Sequence, residues 1–248
     1  MAIQAMIFDL DGTLVRTERL KALSYARAAV ELCPHQITEE GVVEAFKEVV
    51  GRSRREVASF LIERFYLEES ARARMVEFGV SAPWQAFVQV RLQHYEAMLA
   101  DPQLLRDNQW LYNRALLEEA KRANCKVGLA TMSHCSQTQR VLEILELTGA
   151  FDFVATRDDV DHGKPDPEIY NLVAAELGVK PGSCLVIEDS PAGVEAAIAA
   201  GMWCIAVTTP FTHQTVHAAQ TLEERWIVDD PLALSGVVRR MLAERQMD

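Results

Sequence analysis

Ile3-Gln4-Ala5-Met6-Ile7-Phe8-Asp9-Leu10-Asp11-Gly12-Thr13-Leu14 is the stretch on which the reading of this chain turns. Ala5 to Phe8 is a short apolar run of strand-like residues that delivers two carboxylates, Asp9 and Asp11, onto a turn. Leu10 separates them, so both can point to one side as the strand ends. Gly12 supplies the backbone freedom to leave the strand sharply. In open parallel α/β sheets, ligands bind beyond the carboxyl ends of the strands. Two acids at that place make a cation site, a covalent acid/base pair, or both. The alternative is an N-cap or Asx turn that happens to hold two aspartates.

Three further stretches follow in order. Leu129-Ala130-Thr131-Met132-Ser133 ends a second apolar strand in hydroxyls. Gly163-Lys164-Pro165-Asp166-Pro167 holds a lysine before a proline, whose ring restricts the backbone on either side. A lysine needed at a fixed distance from an anion gains from that restraint. Leu185-Val186-Ile187-Glu188-Asp189-Ser190 ends another strand in two acids. Each has a plainer alternative: Thr131 capping a helix that begins near Ser133, Lys164 as a solvated loop lysine, and Glu188-Asp189 as an acidic helix N-terminus favoured by the dipole.

Between these stretches the periodicity changes. From about Thr17 to Leu99 it is helical throughout. Leu20, Leu23, Tyr25, Ala26 and Val30 form one stripe; Thr38 opens a second helix that Gly51 stops; Arg54 to Arg64, Glu68 to Phe78 and Pro83 to Met98 follow. From Leu104 to Ala123 one helix leads back to alternating elements: strands at Lys126–Ala130, Phe151–Ala155, Cys184–Ile187, Trp203–Val207 and Trp226–Val228, helices between them, and a closing helix from Pro231 to Arg245. Asp166 and Ser190 each precede a proline, as N-caps before a proline at the first helical position. The fold class is therefore α/β, a Rossmann-like parallel sheet covered on both faces with an inserted helical domain. The expected division is 1–15 with 100–248 for the sheet and 16–99 for the helices.

The 248 residues, 49% hydrophobic, suffice for a sizeable core. Thirty-six acidic residues against 25 basic ones give a formal net charge of −11. That argues against a general nucleic-acid or acidic-membrane binder, which needs a basic face. An anionic substrate therefore needs a local cation. Cys125, Cys184 and Cys204 lie in or beside apolar runs and read as buried free thiols, which suits a reducing cytoplasm. No signal peptide or membrane span is expected, and the chain is expected to be a monomer or weak homodimer.

Taken together, the four stretches resemble the haloacid dehalogenase-like phosphohydrolases, most closely the branch with β-phosphoglucomutase and the small sugar-phosphate and phosphoglycolate phosphatases. The resemblance covers nearly the whole chain, and it implies a helical cap over a sheet-borne active site. It implies Asp9 as nucleophile, Asp11 as acid and base, Thr131 on the phosphoryl oxygens and Lys164 offsetting their charge. It implies Mg²⁺ held by the Asp9 carboxylate, the Asp11 backbone carbonyl and the Asp189 carboxylate, with Glu188 beside the metal or on its water; oxygen-only ligands suit that ion. It implies a small phosphorylated metabolite as the substrate, with a sugar phosphate among the candidates. Arg54, in Gly51-Arg52-Ser53-Arg54, matches the cap arginine that meets a distal phosphate; a solvated basic helix start is the alternative. Lys21 and Ser133 complete the substrate-binding candidates.

Two departures matter. Lys21 stands where the β-phosphoglucomutases carry a histidine, and Val50 where they carry a lysine. Both changes favour hydrolysis over isomerisation. The presence of Asp11 argues against a dehalogenase, whose branch lacks that second acid. The rivals are a phosphosugar mutase and a non-catalytic binding protein on the same fold; the latter is expected to have lost one of Asp9, Asp11, Lys164 or Asp189, and all four are present.

Overall fold

A computed structural model describes residues 3–50 and 52–247. Gly51, read as a helix stop, lies outside the described residues. The chain forms two compact units, one of Met1–Arg16 with Leu105–Asp248 and one of Thr17–Leu104. The expected divisions lay at 15/16 and 99/100.

In chain order, β1 (Ala5–Phe8) is followed by the helices α1 (Thr17–Leu32), α2 (Glu39–Phe46), α3 (Arg54–Arg64), α4 (Glu68–Ala73), α5 (Met75–Phe78) and α6 (Pro83–Leu99). Next come α7 (Pro102–Asp107), α8 (Leu111–Arg122), β2 (Lys126–Ala130), α9 (Cys135–Ile144), β3 (Phe153–Ala155) and α10 (Glu168–Glu176). The chain ends with β4 (Cys184–Glu188), α11 (Pro191–Ala199), β5 (Trp203–Val207), α12 (His213–Ala219), β6 (Ile227–Val228) and α13 (Leu234–Met247).

The six strands form one parallel sheet in the order β3-β2-β1-β4-β5-β6. The chain builds outward from β1 first to one side and then to the other, so β1 and β4 flank the point where the winding reverses. Ligands of doubly wound sheets bind there. β1 is completely buried, as a short apolar strand paired on both edges should be. Ile7 and Val186 share a core with Tyr170 and Val173 of α10 and with Val194 and Ala197 of α11. Burying a side chain such as Phe8 or Ile7 contributes about 1.5–3 kcal/mol each. Gly128 of β2 lets α10 approach, since a Cβ there would stand 2.4 Å from Val173 Cγ1.

In the helical unit, α1 packs against α2 and α6. Tyr25 anchors the contact, with ring centroids 5.8 Å from Phe46 and 5.7 Å from Phe87. Because neighbours cover α1 on more than one side, its buried surface extends beyond the expected stripe to Ala22, Ser24, Ala28 and Ala29. Thr38 accepts from the Gly41 amide at 3.2 Å, as an N-cap should. α2 ends at Phe46, short of the expected Val49 and Val50. The helix expected over Glu68 to Phe78 is interrupted at Arg74, and the two pieces are α4 and α5.

The single helix expected from Leu104 to Ala123 is two, α7 and α8. The chain leaving β1 competes for the backbone between them: Arg16 N donates to Asn108 O (2.8 Å), and Trp110 N donates to Leu14 O (2.9 Å). Those groups are lost to an uninterrupted helix. Cys125 is half-buried, whereas Cys184 and Cys204 are buried as expected. Among the described residues, no helix is long and apolar enough to cross a membrane.

Candidate active site

The turn after β1 is built as its sequence requires. Asp9 N continues the ladder to Ile187 O at 3.0 Å, which fixes Asp9 beside the end of β4. Gly12 adopts φ 95, a conformation open to glycine, and its amide closes the turn onto Val15 O at 2.7 Å. Asp9 is buried, whereas Asp11 is half-buried.

Lys164 comes from the loop before α10, and its side chain is only 5% exposed. An ammonium has three donors, and all three are used: on Asp9 Oδ1 (2.8 Å), Glu188 Oε1 (2.6 Å) and the Ala130 carbonyl at the end of β2 (3.0 Å). One cation thus ties together the ends of β1, β2 and β4. Glu188 is held from every side. Tyr170 Oη donates to its Oε1 at 2.9 Å; its Oε2 accepts from the amides of Asp189 (2.8 Å) and Ser190 (3.0 Å) and from Ser190 Oγ (3.0 Å). With both oxygens occupied, Glu188 acts on Lys164 and the strand end.

The electrostatics divide the acids. Burial pushes the Asp9 carboxyl up to about 7; Lys164 opposes this, and Glu188 and Asp11 reinforce it. Burial acts on Glu188 in the same direction, but Lys164 and the amides of Ser190 and Asp189 outweigh it and hold it below the ordinary range. Burial would lower Lys164, yet Asp9 and Glu188 raise it, so it is a fixed cation. Burial, with Glu188 and Asp9, keeps the Tyr170 phenol well above its usual value and therefore a donor.

Asp11 has a different setting. Its Oδ2 accepts from Ser133 Oγ and, at 3.4 Å, from Thr131 Oγ1. Thr131 Oγ1 accepts in turn from the Ser133 amide at 3.1 Å. Thr131 is not the cap of α9, which starts at Cys135 after His134. Asp166 likewise precedes a helix that begins one residue later than expected, at Glu168, whose amide it accepts at 3.0 Å.

The fit to a divalent cation rests on one atom. Asp9 Oδ2 is buried without a hydrogen-bond partner, a state that costs stability when nothing satisfies it. One oxygen each of Asp9, Glu188 and Asp189 lies within 4.8 Å of the others. A hard, oxygen-seeking cation suits the Asp9 and Asp189 carboxylates, with Glu188, whose oxygens already accept from protein donors, beside it.

Arg54 and Lys21 lie in the helical unit. Arg54 is the first residue of α3, whose Ser53 forms a capping box with Glu56. Burial raises the Tyr25 phenol, and the charges of Arg91, Arg54 and Lys21 act against that shift; the Arg91 guanidinium lies over the ring, 5.1 Å from its centroid. The groups not singled out in the sequence are Tyr170, Ser190 as a donor to Glu188, and Gly193. A Cβ on Gly193 would fall 1.8 Å from Glu188 Oε1. A glycine in the first turn of a helix, where alanine is better by propensity, was the available signal.

The haloacid dehalogenase-like hydrolase model matches residues 3–201. A phosphorylated carbohydrates phosphatase of Thermotoga maritima is 34% identical over 200 residues, 81% of this chain and 82% of the relative. A β-phosphoglucomutase of Bacillus subtilis is 27% identical, over 83% of each chain. In fold, a β-phosphoglucomutase structure from Clostridium difficile superposes with a TM-score of 0.69 at 22% identity, covering 99% of this chain and 100% of that one. The chain belongs to the haloacid dehalogenase-like hydrolases and is a phosphohydrolase.

Proposed function

We propose that the chain hydrolyses a small phosphorylated metabolite, a phosphorylated carbohydrate first among them, through a phosphoryl group carried on Asp9. The observation that carries this is the contrast between two carboxylates of one turn. Asp9 is buried, fixed through Oδ1 to Lys164 and bare at Oδ2. Asp11 is half-buried and bonded to hydroxyls. Carboxylates held in such different surroundings take different roles.

Asp9 attacks phosphorus, and the bond from phosphorus to the leaving oxygen breaks. Asp11 gives that oxygen its proton, then takes one from the water that attacks the acyl phosphate. Lys164 lies close enough to Asp9 to offset charge on the transferring group, and Thr131 and Ser133 supply hydroxyls for its oxygens. Asp9, Asp189 and the Asp11 backbone carbonyl would hold Mg²⁺. When bound, that ion neutralises and orients the phosphoryl oxygens. Arg54 and Lys21 are the candidates for the rest of the substrate, and a relative named for phosphorylated carbohydrates supports that class. Five free thiols suit a cytoplasmic setting.

The test is a single-turnover reaction with a ³²P-labelled member of a sugar-phosphate panel, quenched in acid. Label on the peptide that contains Asp9, discharged by hydroxylamine and missing in Asp9→Asn, is expected. Full turnover by Asp9→Asn, or rapid turnover with no label on that peptide, overturns the reading.

A further inference from the structure

The carboxyl ends of the outer strands β5 and β6 carry a second cluster that the proposed hydrolysis does not use. His213 and His217 stand four residues apart on α12, so they share a face, with ring centroids 4.6 Å apart. Asp229 follows β6 and faces both. Its Oδ1 and Oδ2 lie 3.1 and 3.2 Å from His217 Nε2, and its Oδ2 lies 3.7 Å from His213 Nε2. A ligand atom from each residue lies within 4.8 Å of the others.

We propose that His213, His217 and Asp229 form a surface site for a divalent transition cation, Zn²⁺ in particular. Bonds of about 2.0–2.1 Å in a tetrahedron place ligand atoms about 3.3–3.4 Å apart, and the distances from Asp229 to His217 (3.1 Å) and to His213 (3.7 Å) bracket that spacing. Two imidazoles and one carboxylate are a donor set for zinc, with a fourth position open to water. Mg²⁺ prefers oxygen and its own waters, so it is a poor competitor here.

The surroundings carry the inference further than the three ligands do. Glu224 Oε2 lies 3.0 Å from His217 Nδ1. In the metal-free chain both ring nitrogens face carboxylates; with a cation bound, Glu224 would keep the proton on Nδ1 while Nε2 turns from Asp229 to the ion, the arrangement that orients metal-bound histidines. Thr208 Oγ1 donates to Asp229 Oδ1 at 2.7 Å and fixes the carboxylate. The Thr208 amide is itself bonded to Val228 O at 2.9 Å, so both sides of the cluster hang from paired strands. His213 and Asp229 are half exposed, which leaves an entry path from solvent.

The test is calorimetric titration of metal-stripped protein with Zn²⁺ alone, comparing the parent with the double variant His213→Gln/His217→Gln and with Asp229→Asn, which keeps the side-chain shape. The parent is expected to bind one Zn²⁺ more than the double variant. Glu224→Gln is expected to weaken that extra site about 10- to 100-fold. Co²⁺ in its place should give a visible band without thiolate charge transfer, kept in Cys135→Ser and absent from the double variant. Equal stoichiometry and affinity in parent, double variant and Asp229→Asn overturn the site. So does a thiolate band that vanishes in Cys135→Ser.

Discussion

The carboxylate of Glu188 occupies the space where a side chain on Gly193 would begin: a Cβ built there falls 1.8 Å from Oε1 and 1.9 Å from Cδ. The first turn of α11 is therefore part of the mould that holds Glu188, and through it Lys164. Ser190 joins the two, donating to Glu188 and accepting from the Gly193 amide at 3.1 Å.

Gly193→Ala should test that mould. Helix propensity alone would stabilise the protein by about 0.8–1.0 kcal/mol. The overlap works against it, because Glu188 accepts from five protein donors and has no slack. Overpacking of this kind costs about 1–3 kcal/mol, so a net loss in unfolding free energy and at least a tenfold fall in kcat are expected. A variant more stable than the parent with unchanged kcat would show that the position of Glu188 is immaterial.

Tyr170→Phe isolates one hydroxyl. The ring remains beneath Lys164, whose Nζ lies 5.0 Å from its centroid, and Glu188 Oε1 keeps its bond to Lys164. Denaturant unfolding should register a loss of about 1 kcal/mol, the usual value of one such hydrogen bond. Steady-state kinetics should show a kcat reduced by less than about tenfold with KM little changed, because Tyr170 positions other groups. A loss as deep as that of Lys164→Met would assign Tyr170 a direct role.

Metal addition and removal should register in stability. A cation that meets Asp9 Oδ2 binds the folded chain alone, so millimolar Mg²⁺ should raise the melting temperature of stripped protein and EDTA should reverse the rise. Asp189→Asn should blunt the shift. A melting temperature indifferent to both reagents, in protein shown by elemental analysis to be metal-free, would count against the site.

Hydrolysis against isomerisation is decided by products. A mutase must keep its phospho-enzyme from water while a bisphosphate turns round; a phosphatase admits water as soon as the leaving group departs. Val50 offers neither charge nor a hydrogen-bond donor. Lys21 places an amine where the mutases carry an imidazole, the side chain that exchanges protons near neutral pH. With β-glucose 1-phosphate and a trace of the bisphosphate, inorganic phosphate should appear faster than glucose 6-phosphate. The reverse order would assign the chain to the mutases.

Much of the candidate site was legible because its residues sit where short local rules act. Asp9, Asp11, Thr131, Lys164, Glu188 and Asp189 all follow apolar runs or precede prolines, and strand ends and prolines announce themselves within a few residues. Tyr170 was not legible in this way. A tyrosine on the apolar face of a helix reads as core, and its hydroxyl acquires a role only beside Glu188, eighteen residues further on. The break between α7 and α8 escaped for the same kind of reason, since its cause, the Leu14 and Arg16 backbone, lies about a hundred residues away.

Alternation of apolar strands and helices, the order of the four motifs and the long helical insert follow from the sequence by itself, because period and turn chemistry are properties of neighbouring residues. Tertiary structure alone decided which acid is bare and which is saturated. Asp9 and Glu188 are both buried carboxylates on the same lysine, but Tyr170, Ser190 and two amides fill one and leave an oxygen of the other without a partner. The distinction lies in the donors that the packing of α10 and α11 against β1 and β4 brings within hydrogen-bond distance, and distance between separated segments is the one quantity that periodicity does not encode.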